Sequence, residues 1–282
     1  MNVLSIQSHV SYGHVGNSAA VFALQRLGCE VWPIHTVQFS NHTGYGSWGG
    51  QIFTPDLIRD VMRGLADRQV LARCDGVLTG YVGSVDLGEA ILEAVAMVRA
   101  ANPQTCYCCD PVMGDLGRGI YVRPDLPAFM RERAVPAADI VTPNQFELDT
   151  LTGRSTQRLA EILAAIDEIR ARGPKVVLVT SARTEETPAD VVDLIGCDAG
   201  GAYRVRTPRL TLTAKGAGDL LSALFLQHYL SQRSVAIALS LAASSIFGVL
   251  RSTAEDCSPE ILLIAAQEEL VAPAQMFRAE LL

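Results

Sequence analysis

One stretch of the sequence has the residue types and spacing to bind and transfer a phosphate group. Gly216, Ala217 and Gly218 precede Asp219, and an apolar run with helical spacing follows at once over residues 220–226. Glycines let a backbone approach a ligand closely, and the first N–H groups of a helix are free to bind an anion. A carboxylate at position 219 can take a proton from a hydroxyl group that attacks the phosphate. The stretch therefore predicts a phosphate-transfer site, with an ordinary helix cap at Asp219 as the alternative.

Two further acidic residues follow predicted strands elsewhere in the chain. Asp110 follows an apolar run over residues 104–109, and Glu147 follows a short one over residues 139–142. Because the carboxyl ends of parallel strands meet at one edge of a sheet, we expect both acids near Asp219. Magnesium bound to a nucleotide needs few protein carboxylates, often acting through water. The two acids therefore suit the magnesium side of a nucleotide site, and a turn cap at Asp110 and a solvated helix start at Glu147 are the alternatives.

The elements that must position these residues alternate between strands and helices. The predicted strands are 2–7, 30–37, 75–79, 104–109, 139–142 and 175–180, followed by a hairpin of 191–197 with 202–207. The predicted helices are 18–27, 56–65, 85–100 and 157–172, two after Gly218, and one over 259–270. This alternation predicts a single α/β domain over residues 1–282, with a mostly parallel central sheet and helices on both faces.

Residues 38–50 form a long polar segment that contains four glycines together with Phe39, His42, Tyr45 and Trp48. A compact domain rarely carries such a segment without a use. Glycine hinges with aromatic residues between them suit a flap over a small flat ligand. A surface loop with incidental aromatic residues is the alternative.

Composition and missing motifs restrict the function. The net charge of −7 argues against a dedicated nucleic-acid binder. We expect a cytoplasmic protein without a signal peptide or membrane span, because even the apolar run 235–250 contains three serines and a glycine. The seven cysteines are expected to be buried free thiols. The sequence contains no GxxxxGK[ST], no GxGxxG after its first strand and no GxSxG, which excludes a P-loop enzyme and weakens dinucleotide-binding and hydrolase interpretations.

Six segments that follow one another along nearly the whole chain resemble the pyridoxal kinases of the ribokinase superfamily: residues 7–17, 36–43, 80–84, 110–114, 142–147 and 216–219. Gln-Ser-His-Val at 7–10 and Val-Gln-Phe-Ser-Asn-His-Thr at 37–43 are typical of pyridoxal kinases, whereas the glycine–Asp motif and Pro-Asn-Gln-Phe-Glu at 143–147 belong to the superfamily at large. The resemblance implies a ribokinase-like fold and ATP-dependent phosphorylation of pyridoxal at its 5′-hydroxymethyl group, in vitamin B6 salvage. It also implies Mg²⁺ with ATP as co-substrate, and a homodimer.

The same resemblance implies a role for individual residues. Asp219 would be the catalytic base, and Gly216, Ala217 and Gly218 would form the anion hole. The implied pyridoxal contacts are Ser8, Thr43, Gly44, Tyr81 and Asp219. The implied ATP contacts are Asp110, Thr142, Glu147, Thr180, Thr207, Pro208, Arg209 and Leu210, with Asp110 and Glu147 on the metal side. The loop 114–122 would close over the phosphates.

The sequence departs from the family pattern in three places, one of them the unusually polar segment 182–187 after its strand, and two other functions stay open. Lys215 stands where a small or apolar residue is expected. The segment between Arg206 and Gly216 is a few residues shorter than in pyridoxal kinases, so its contacts with the nucleotide base are expected to differ from the family pattern. A kinase of another hydroxymethyl heterocycle, such as hydroxymethylpyrimidine, is one rival. A non-catalytic binder of vitamin B6 is the other, although the intact glycine loop and Asp219 argue against it.

Overall fold

The fold is built on one large sheet. The computed structural model describes residues 1–212 and 215–282, and within these ranges ten strands form a sheet in the order β12-β11-β10-β9-β8-β5-β4-β1-β2-β3. The strands are β1 (Asn2–Val10), β2 (Glu30–Phe39), β3 (Gly50–Ile52), β4 (Gly76–Thr79), β5 (Cys106–Cys109), β6 (Gly114–Asp115), β7 (Gly119–Ile120), β8 (Ile140–Val141), β9 (Val176–Ala182), β10 (Val191–Asp198), β11 (Gly201–Pro208) and β12 (Glu280–Leu281). Strands β6 and β7 form a separate small hairpin.

The central strands are parallel and the outer ones antiparallel. The pairs of neighbours from β2 through β1, β4, β5 and β8 to β9 all run parallel, whereas β3, β10, β11 and β12 pair antiparallel. The chain moves from β1 to β2 on one side and then returns to β4 on the other. The strand order therefore reverses beside β1, and ligands of open α/β sheets bind in the crevice at such a reversal.

Helices cover both faces of this sheet, as the sequence predicted. The helices are α1 (Asn17–Arg26), α2 (Pro55–Asp67), α3 (Val85–Ala101), α4 (Leu126–Phe129), α5 (Val135–Ala137), α6 (Gln145–Thr152), α7 (Leu159–Arg170), α8 (Ala217–Gln232), α9 (Val235–Glu255) and α10 (Glu268–Val271). A π-helical turn over Met130–Ala134 joins α4 to α5.

Alternation along the strands divides the apolar residues between two cores. Val177 and Val179 of β9 pack with helices α2, α3, α6 and α7, while the intervening Leu178 packs with α1, α8 and α9. Successive strand residues point to opposite faces, so a strand covered on both sides must be apolar at almost every position. Strand β5 shows the result, because all four of its residues are buried.

Helix α9 is long and apolar enough, by length and composition, to cross a membrane. In this fold it lies against α8, β10 and β11, and Leu239, Ala242 and Ala243 are completely buried there. Its composition is that of a core helix packed between a sheet and other helices.

Several predictions of local structure were wrong. Strand β1 continues to Val10, so Ser8 lies in the strand rather than in the loop after it. Residues 259–270 do not form one helix, because Ile261 and Leu263 are buried at alternate positions, and only Glu268–Val271 is helical. Helix α6 and the β6–β7 hairpin were not predicted. Cys257 is exposed, in contrast to the six buried cysteines.

Candidate active site

A cavity of about 490 Å³ opens at the carboxyl ends of the parallel strands, beside the point where the strand order reverses. It brings together residues that the sequence places far apart. The predicted site residues that line it are Ser8, Thr43, Gly44, Tyr81, Asp110, Thr142, Glu147, Thr180, Gly216, Ala217, Gly218 and Asp219. We call this space the main cavity.

A second cavity of about 210 Å³ lies next to the first and shares Thr180, Ser181, Ala217 and Gly218 with it. The remaining predicted residues Thr207, Pro208 and Leu210 line this side cavity, with apolar side chains of β10, α8 and α9. Arg209 lines neither cavity: it is exposed, and its backbone N–H donates to the carbonyl of Asp190. Residues 213 and 214 of the short segment noted above lie outside the described residues.

The glycine loop enters helix α8 through a backbone conformation that requires glycine. Gly216 has a φ of +96°, and a Cβ there would lie 1.8 Å from the carbonyl oxygen of His14. Gly216 is the N-cap of α8, and its carbonyl accepts the N–H of Leu220. Gly216 has no side chain to cap this helix end, and the Asp219 carboxyl accepts its own backbone N–H. The first N–H groups of α8 are therefore directed at the main cavity, where an anion can take them up.

Asp219 lies in the first turn of α8. Its carboxyl group faces two other loops, one containing Gly16 after β1 and one containing Gly80 after β4. A Cβ built on Gly80 would be 3.6 Å from Oδ1 of Asp219. Burial raises the pKa of the Asp219 carboxyl, and hydrogen bonds from the backbone N–H groups of Gly16 and of Asp219 itself oppose that rise. A carboxylate with a raised pKa that still faces a ligand cavity has the properties of a general base.

Asp110 follows β5, is almost completely buried and lies beside the first turns of α8. Its Oδ2 accepts a hydrogen bond from Ser222 Oγ at 3.1 Å, and Ser222 Oγ also lies 2.8 Å from Thr142 Oγ1. Burial raises the pKa of Asp110 well above its ordinary value, and the charges of Glu147 and Asp219 raise it further. Three carboxyl groups thus share one weakly solvated region, which favours binding of a cation there.

Glu147 is held by backbone groups. It forms a capping box with Asn144 at the start of α6: Oε2 accepts the Asn144 N–H at 2.9 Å, and the Asn144 side chain accepts the Glu147 N–H at 2.9 Å. Its Oε1 accepts the N–H of Met113 at 2.9 Å. Burial raises the pKa of Glu147 to about 7 in spite of these bonds. The alternative of a solvated helix start is right about the helix but wrong about the solvation, because only 3% of Glu147 is exposed.

The donor set fits a magnesium ion held mainly by a nucleotide. Among the described residues, no group of three or more His, Cys, Asp or Glu side chains is arranged to hold a metal on its own. Asp110 presents a carboxylate with one hydroxyl donor, whereas both oxygens of Glu147 already accept backbone N–H groups. Direct coordination therefore suits Asp110, and contact through water suits Glu147.

Positive charge lies at the other side of the main cavity. Lys215 and Arg118 both line it, together with Asp115 and Tyr121 of the β6–β7 hairpin region. Burial and the neighbouring Arg118 lower the pKa of Lys215, and Asp115 opposes this. The cavity thus has acidic groups on one wall and cations near its mouth, an arrangement that suits a phosphate chain with a bound metal ion.

The segment over residues 38–50 contributes a short 3₁₀ turn, Thr43–Tyr45, that carries Thr43 and Gly44 at the mouth of the main cavity. His42 caps this turn by accepting the Gly44 N–H at 3.0 Å. Phe39 packs on Trp48 with their ring centroids 4.1 Å apart, and Phe39 also lines the cavity. The predicted aromatic flap is therefore next to the ligand space.

Some residues of the site were not predicted from the sequence. Ser222 lies one turn after Asp219 on α8, and it was overlooked because it is embedded in an apolar run. Asn144 was noted only as part of a motif, although its side chain both caps α6 and donates to the carbonyl of Gly114. Ser222 could have been predicted, because it lies three residues after Asp219 in a predicted helix and residues three or four apart share one helix face.

Comparison with known proteins gives a consistent set of relatives. The model of the phosphomethylpyrimidine kinase family matches residues 40–256. A protein of Granulibacter bethesdensis named pyridoxal kinase PdxY is 54% identical, over 100% of both chains. A pyridoxal kinase PdxY of Rubrobacter xylanophilus is 55% identical, over 98% of this chain and 96% of its own.

Solved structures have the same architecture. The pyridoxal kinase of Leishmania donovani in complex with ADP and pyridoxamine superposes with a TM-score of 0.91 at 29% identity, over 100% of this chain and 99% of that one. The pyridoxal kinase of Entamoeba histolytica gives a TM-score of 0.91 at 26% identity, with the same coverage.

Proposed function

The chain belongs to the pyridoxal kinases of the ribokinase-like superfamily, and from this we propose that it transfers the terminal phosphoryl group of ATP to the 5′-hydroxymethyl group of pyridoxal. The product is pyridoxal 5′-phosphate, which places the enzyme in vitamin B6 salvage. One observation carries the proposal: residues of the segments typical of pyridoxal kinases, Ser8 and Thr43, line the same cavity as Gly216 and Asp219.

In the proposed mechanism, pyridoxal occupies the main cavity between the flap and β1. Ser8, Thr43, Gly44 and Tyr81 contact the ring, and Phe39 supplies an apolar wall. The 5′-hydroxyl points at Asp219, which accepts its proton as the oxygen attacks the γ-phosphorus. The N–H groups of the glycine loop bind the charge on the transferred group.

ATP is proposed to lie across both cavities. Its base and ribose take the apolar side cavity, where Thr207, Pro208 and Leu210 contact them. The phosphates pass Thr180 and Gly218, which line both cavities, and reach Thr142, Lys215 and the hairpin loop 114–122. The ADP-bound relative supports nucleotide use.

Mg²⁺ bound to ATP would be held by Asp110 directly and by Glu147 through water. When bound, it neutralises charge on the phosphates. The three mutually repelling carboxyl groups support this assignment, since Asp110 and Glu147 have raised pKa values without a cation.

Phosphorylation of hydroxymethylpyrimidine is the second candidate, because the matching family model is that of phosphomethylpyrimidine kinases. The 54% identity to a pyridoxal kinase over the whole chain favours pyridoxal. A non-catalytic binder is disfavoured by the complete glycine loop and by Asp219.

A cytoplasmic homodimer is also proposed, and the expected partners include neither nucleic acid nor membrane. The exposed apolar side chains Ile52, Leu57 and Val61 near the β3 edge support a contact between copies. Sedimentation equilibrium is expected to give about twice the 30.3 kDa chain mass, and a monomer at micromolar concentration would rule the dimer out.

A substrate panel tests the proposed function. The protein is incubated with Mg²⁺–ATP and either pyridoxal, pyridoxine, pyridoxamine, hydroxymethylpyrimidine or ribose, and ADP formation is measured with identification of the product. The expected result is the highest kcat/KM with pyridoxal or a close B6 form. A higher kcat/KM with hydroxymethylpyrimidine would favour the rival kinase, and B6 binding without ADP formation would favour the binder.

A further inference from the structure

The flap turn is tied to a distant part of the chain by one side-chain contact. The Tyr45 hydroxyl donates to Oε1 of Glu260 at 2.5 Å, across 215 positions of sequence. Tyr45 belongs to the same 3₁₀ turn as Thr43 and Gly44, which line the main cavity. The contact therefore acts on the turn that carries the proposed pyridoxal contacts.

Glu260 is a firm attachment point for this turn. The two residues that alternate after it, Ile261 and Leu263, are buried in the core beside α8 and α9. The backbone N–H of Leu262 donates to the buried Thr253 Oγ1 at 3.0 Å, and the backbone N–H of Ser258 donates to the Thr253 carbonyl at 3.1 Å. The segment around Glu260 is thus fixed to α9 on both sides of the carboxylate.

The Glu260 carboxylate also touches the walls of the active site. Its Oε2 accepts the His14 N–H at 3.3 Å, and its backbone pairs with that of Lys215, immediately before the glycine loop. A Cβ on Gly13 would lie 2.4 Å from Oε2, so glycine leaves the space that the carboxylate occupies. Glu260 therefore connects three parts of the site: its side chain contacts the flap and the loop after β1, and its backbone pairs with the start of the glycine loop.

The other attachments of the flap are close to its two ends, where Trp48 packs on Phe39 and β3 pairs with β2. Residues 43–52 are all exposed, and Gly46 and Gly50 have positive φ angles. The hydrogen bond to Glu260 raises the pKa of Tyr45 to about 12, so the hydroxyl remains a donor at neutral pH. An exposed, glycine-containing loop has low local stability, and the charge-assisted hydrogen bond to Glu260 ties its Thr43–Tyr45 turn to the segment after α9.

We propose that Tyr45 and Glu260 are positioning residues that form a latch: their hydrogen bond holds the flap turn over the main cavity and so sets the affinity for the acceptor substrate, with little effect on ATP. The assignment of the acceptor as pyridoxal rests on the proposed function. The latch acts through Thr43 and Gly44, and neither Tyr45 nor Glu260 lines the cavity.

Kinetics of Tyr45→Phe, Glu260→Ala and the double variant test the latch. Each single variant is expected to raise KM for pyridoxal about three- to tenfold, the range for losing one such hydrogen bond, with KM for ATP within about twofold of wild type. The double variant is expected to show no further increase, because both substitutions break the same bond. Glu260→Gln retains an acceptor oxygen and is expected to restore most of the affinity.

Tyr12→Phe is the matched control. Tyr12 is exposed, its ring lies 6.2 Å from that of Tyr45, and among the described residues its hydroxyl makes no hydrogen bond to protein. The same loss of a hydroxyl there is expected to leave both KM values unchanged.

Hydrogen exchange of the flap amides measures the effect of the latch on the flap without requiring catalytic turnover. Amides of residues 41–49 are expected to exchange faster in Tyr45→Phe than in wild type or Tyr12→Phe. Unchanged exchange and unchanged KM for pyridoxal in Tyr45→Phe, additive effects in the double variant, or an equal rise of both KM values would each overturn the latch. A wild-type protein that makes no ADP with pyridoxal would instead count against the proposed function, and the exchange comparison would still decide the latch.

Discussion

Three carboxyl groups within one weakly solvated cavity dominate the site at the scale of single residues. Asp110, Glu147 and Asp219 all have raised pKa values, with burial as the largest cause in each case. Their surroundings nevertheless differ: Ser222 contacts Asp110, backbone N–H groups hold both oxygens of Glu147, and the Asp219 carboxyl accepts the backbone N–H groups of Gly16 and of Asp219 itself. These differences support separate roles for a metal contact, a water-mediated contact and a base.

Asp110→Asn is expected to stabilise the ligand-free protein while impairing catalysis. Burial raises the pKa of Asp110 in the folded protein, whereas in the unfolded chain it is about 4. Above pH 4 the unfolded carboxyl is charged, so on folding it must either take up a proton or be buried with its charge. Stability therefore falls as pH rises, and the neutral amide removes that cost. We expect Tm to rise by about 2–4 °C at pH 8 and by less at pH 5, the scale of about 1 kcal/mol in a chain of this size.

The same variant is expected to need more Mg²⁺–ATP, with part of the loss recovered by excess magnesium. Calorimetry at pH 8 and pH 5 checks the expected change in Tm. A titration of the reaction rate with magnesium checks the expected need for more Mg²⁺–ATP. A variant that is destabilised at pH 8, or that has a wild-type magnesium titration, would contradict this role of Asp110.

Gly216→Ala is expected to disrupt the anion hole. The added Cβ meets the His14 carbonyl oxygen, and the φ of +96° is unfavourable for alanine, so the loop must shift. Loss of a preorganised donor typically lowers kcat about 100-fold or more. Gly218→Ala serves as the control for stability alone, since among residues 1–212 and 215–282 its Cβ would meet only Asp110 Oδ2 at 3.9 Å. A Gly216→Ala protein with wild-type Tm and kcat would show that this geometry is not needed.

At the scale of elements, the flap and helix α8 both contribute residues to the main cavity. Helix α8 is fixed by the core, because Leu220, Leu224 and Phe225 are completely buried. The flap has exposed residues and an aromatic contact between Phe39 and Trp48. A rigid catalytic element facing an adaptable cover is the arrangement that lets a substrate enter and then excludes water from phosphoryl transfer.

Pyridoxal is expected to protect the backbone of residues 38–50 from hydrogen exchange. The flat ring contacts Phe39 and the turn at Thr43, and so it stabilises the closed flap. Hydroxymethylpyrimidine and ribose are expected to protect this segment much less. Exchange measured by mass spectrometry with each ligand checks this, and protection that no ligand alters would mean that the segment is only a surface loop.

The sequence predicted some elements better than others for identifiable reasons. Strands such as β5 and helices such as α3 have long apolar patterns, and the residue types there decide the structure locally. Residues 259–270 contain enough apolar residues for a helix, yet their alternate burial against α8 and α9 determines an irregular path. Helix α6 has only eight residues, and its capping box with Asn144 and Glu147 was the signal for it.

The candidate site was predictable as far as residues at strand ends are concerned. Asp110 and Thr142 follow parallel strands and Thr180 lies near the carboxyl end of β9, so the topology alone brings them to one edge. Ser222 and the Tyr45–Glu260 contact depend on how separate elements pack, which a pattern in one segment does not encode. Arg209 was predicted as an ATP contact as part of the segment 207–210, but the structure leaves this residue exposed and outside both cavities.

At the scale of the whole molecule, the reversal of strand order beside β1 determines where the chemistry takes place. From β1 the chain first adds strands on one side and then on the other, and the main cavity lies outside the carboxyl ends of these strands. The side cavity between β10, α8 and α9 extends this space in one direction, and the flap after β2 covers it in the other. A single domain thus provides adjoining places for a nucleotide and a small acceptor.

Turnover and binding of Asp219→Asn, measured on the same protein preparation, test the central claim most directly. The amide keeps the shape of the side chain in the first turn of α8 but cannot accept the proton of the 5′-hydroxyl. We predict that kcat for pyridoxal falls about 100-fold or more, the scale of a general base, while the dissociation constant for pyridoxal stays within about threefold of wild type. A variant that turns over at nearly the wild-type rate would show that Asp219 only caps the helix and would contradict the account.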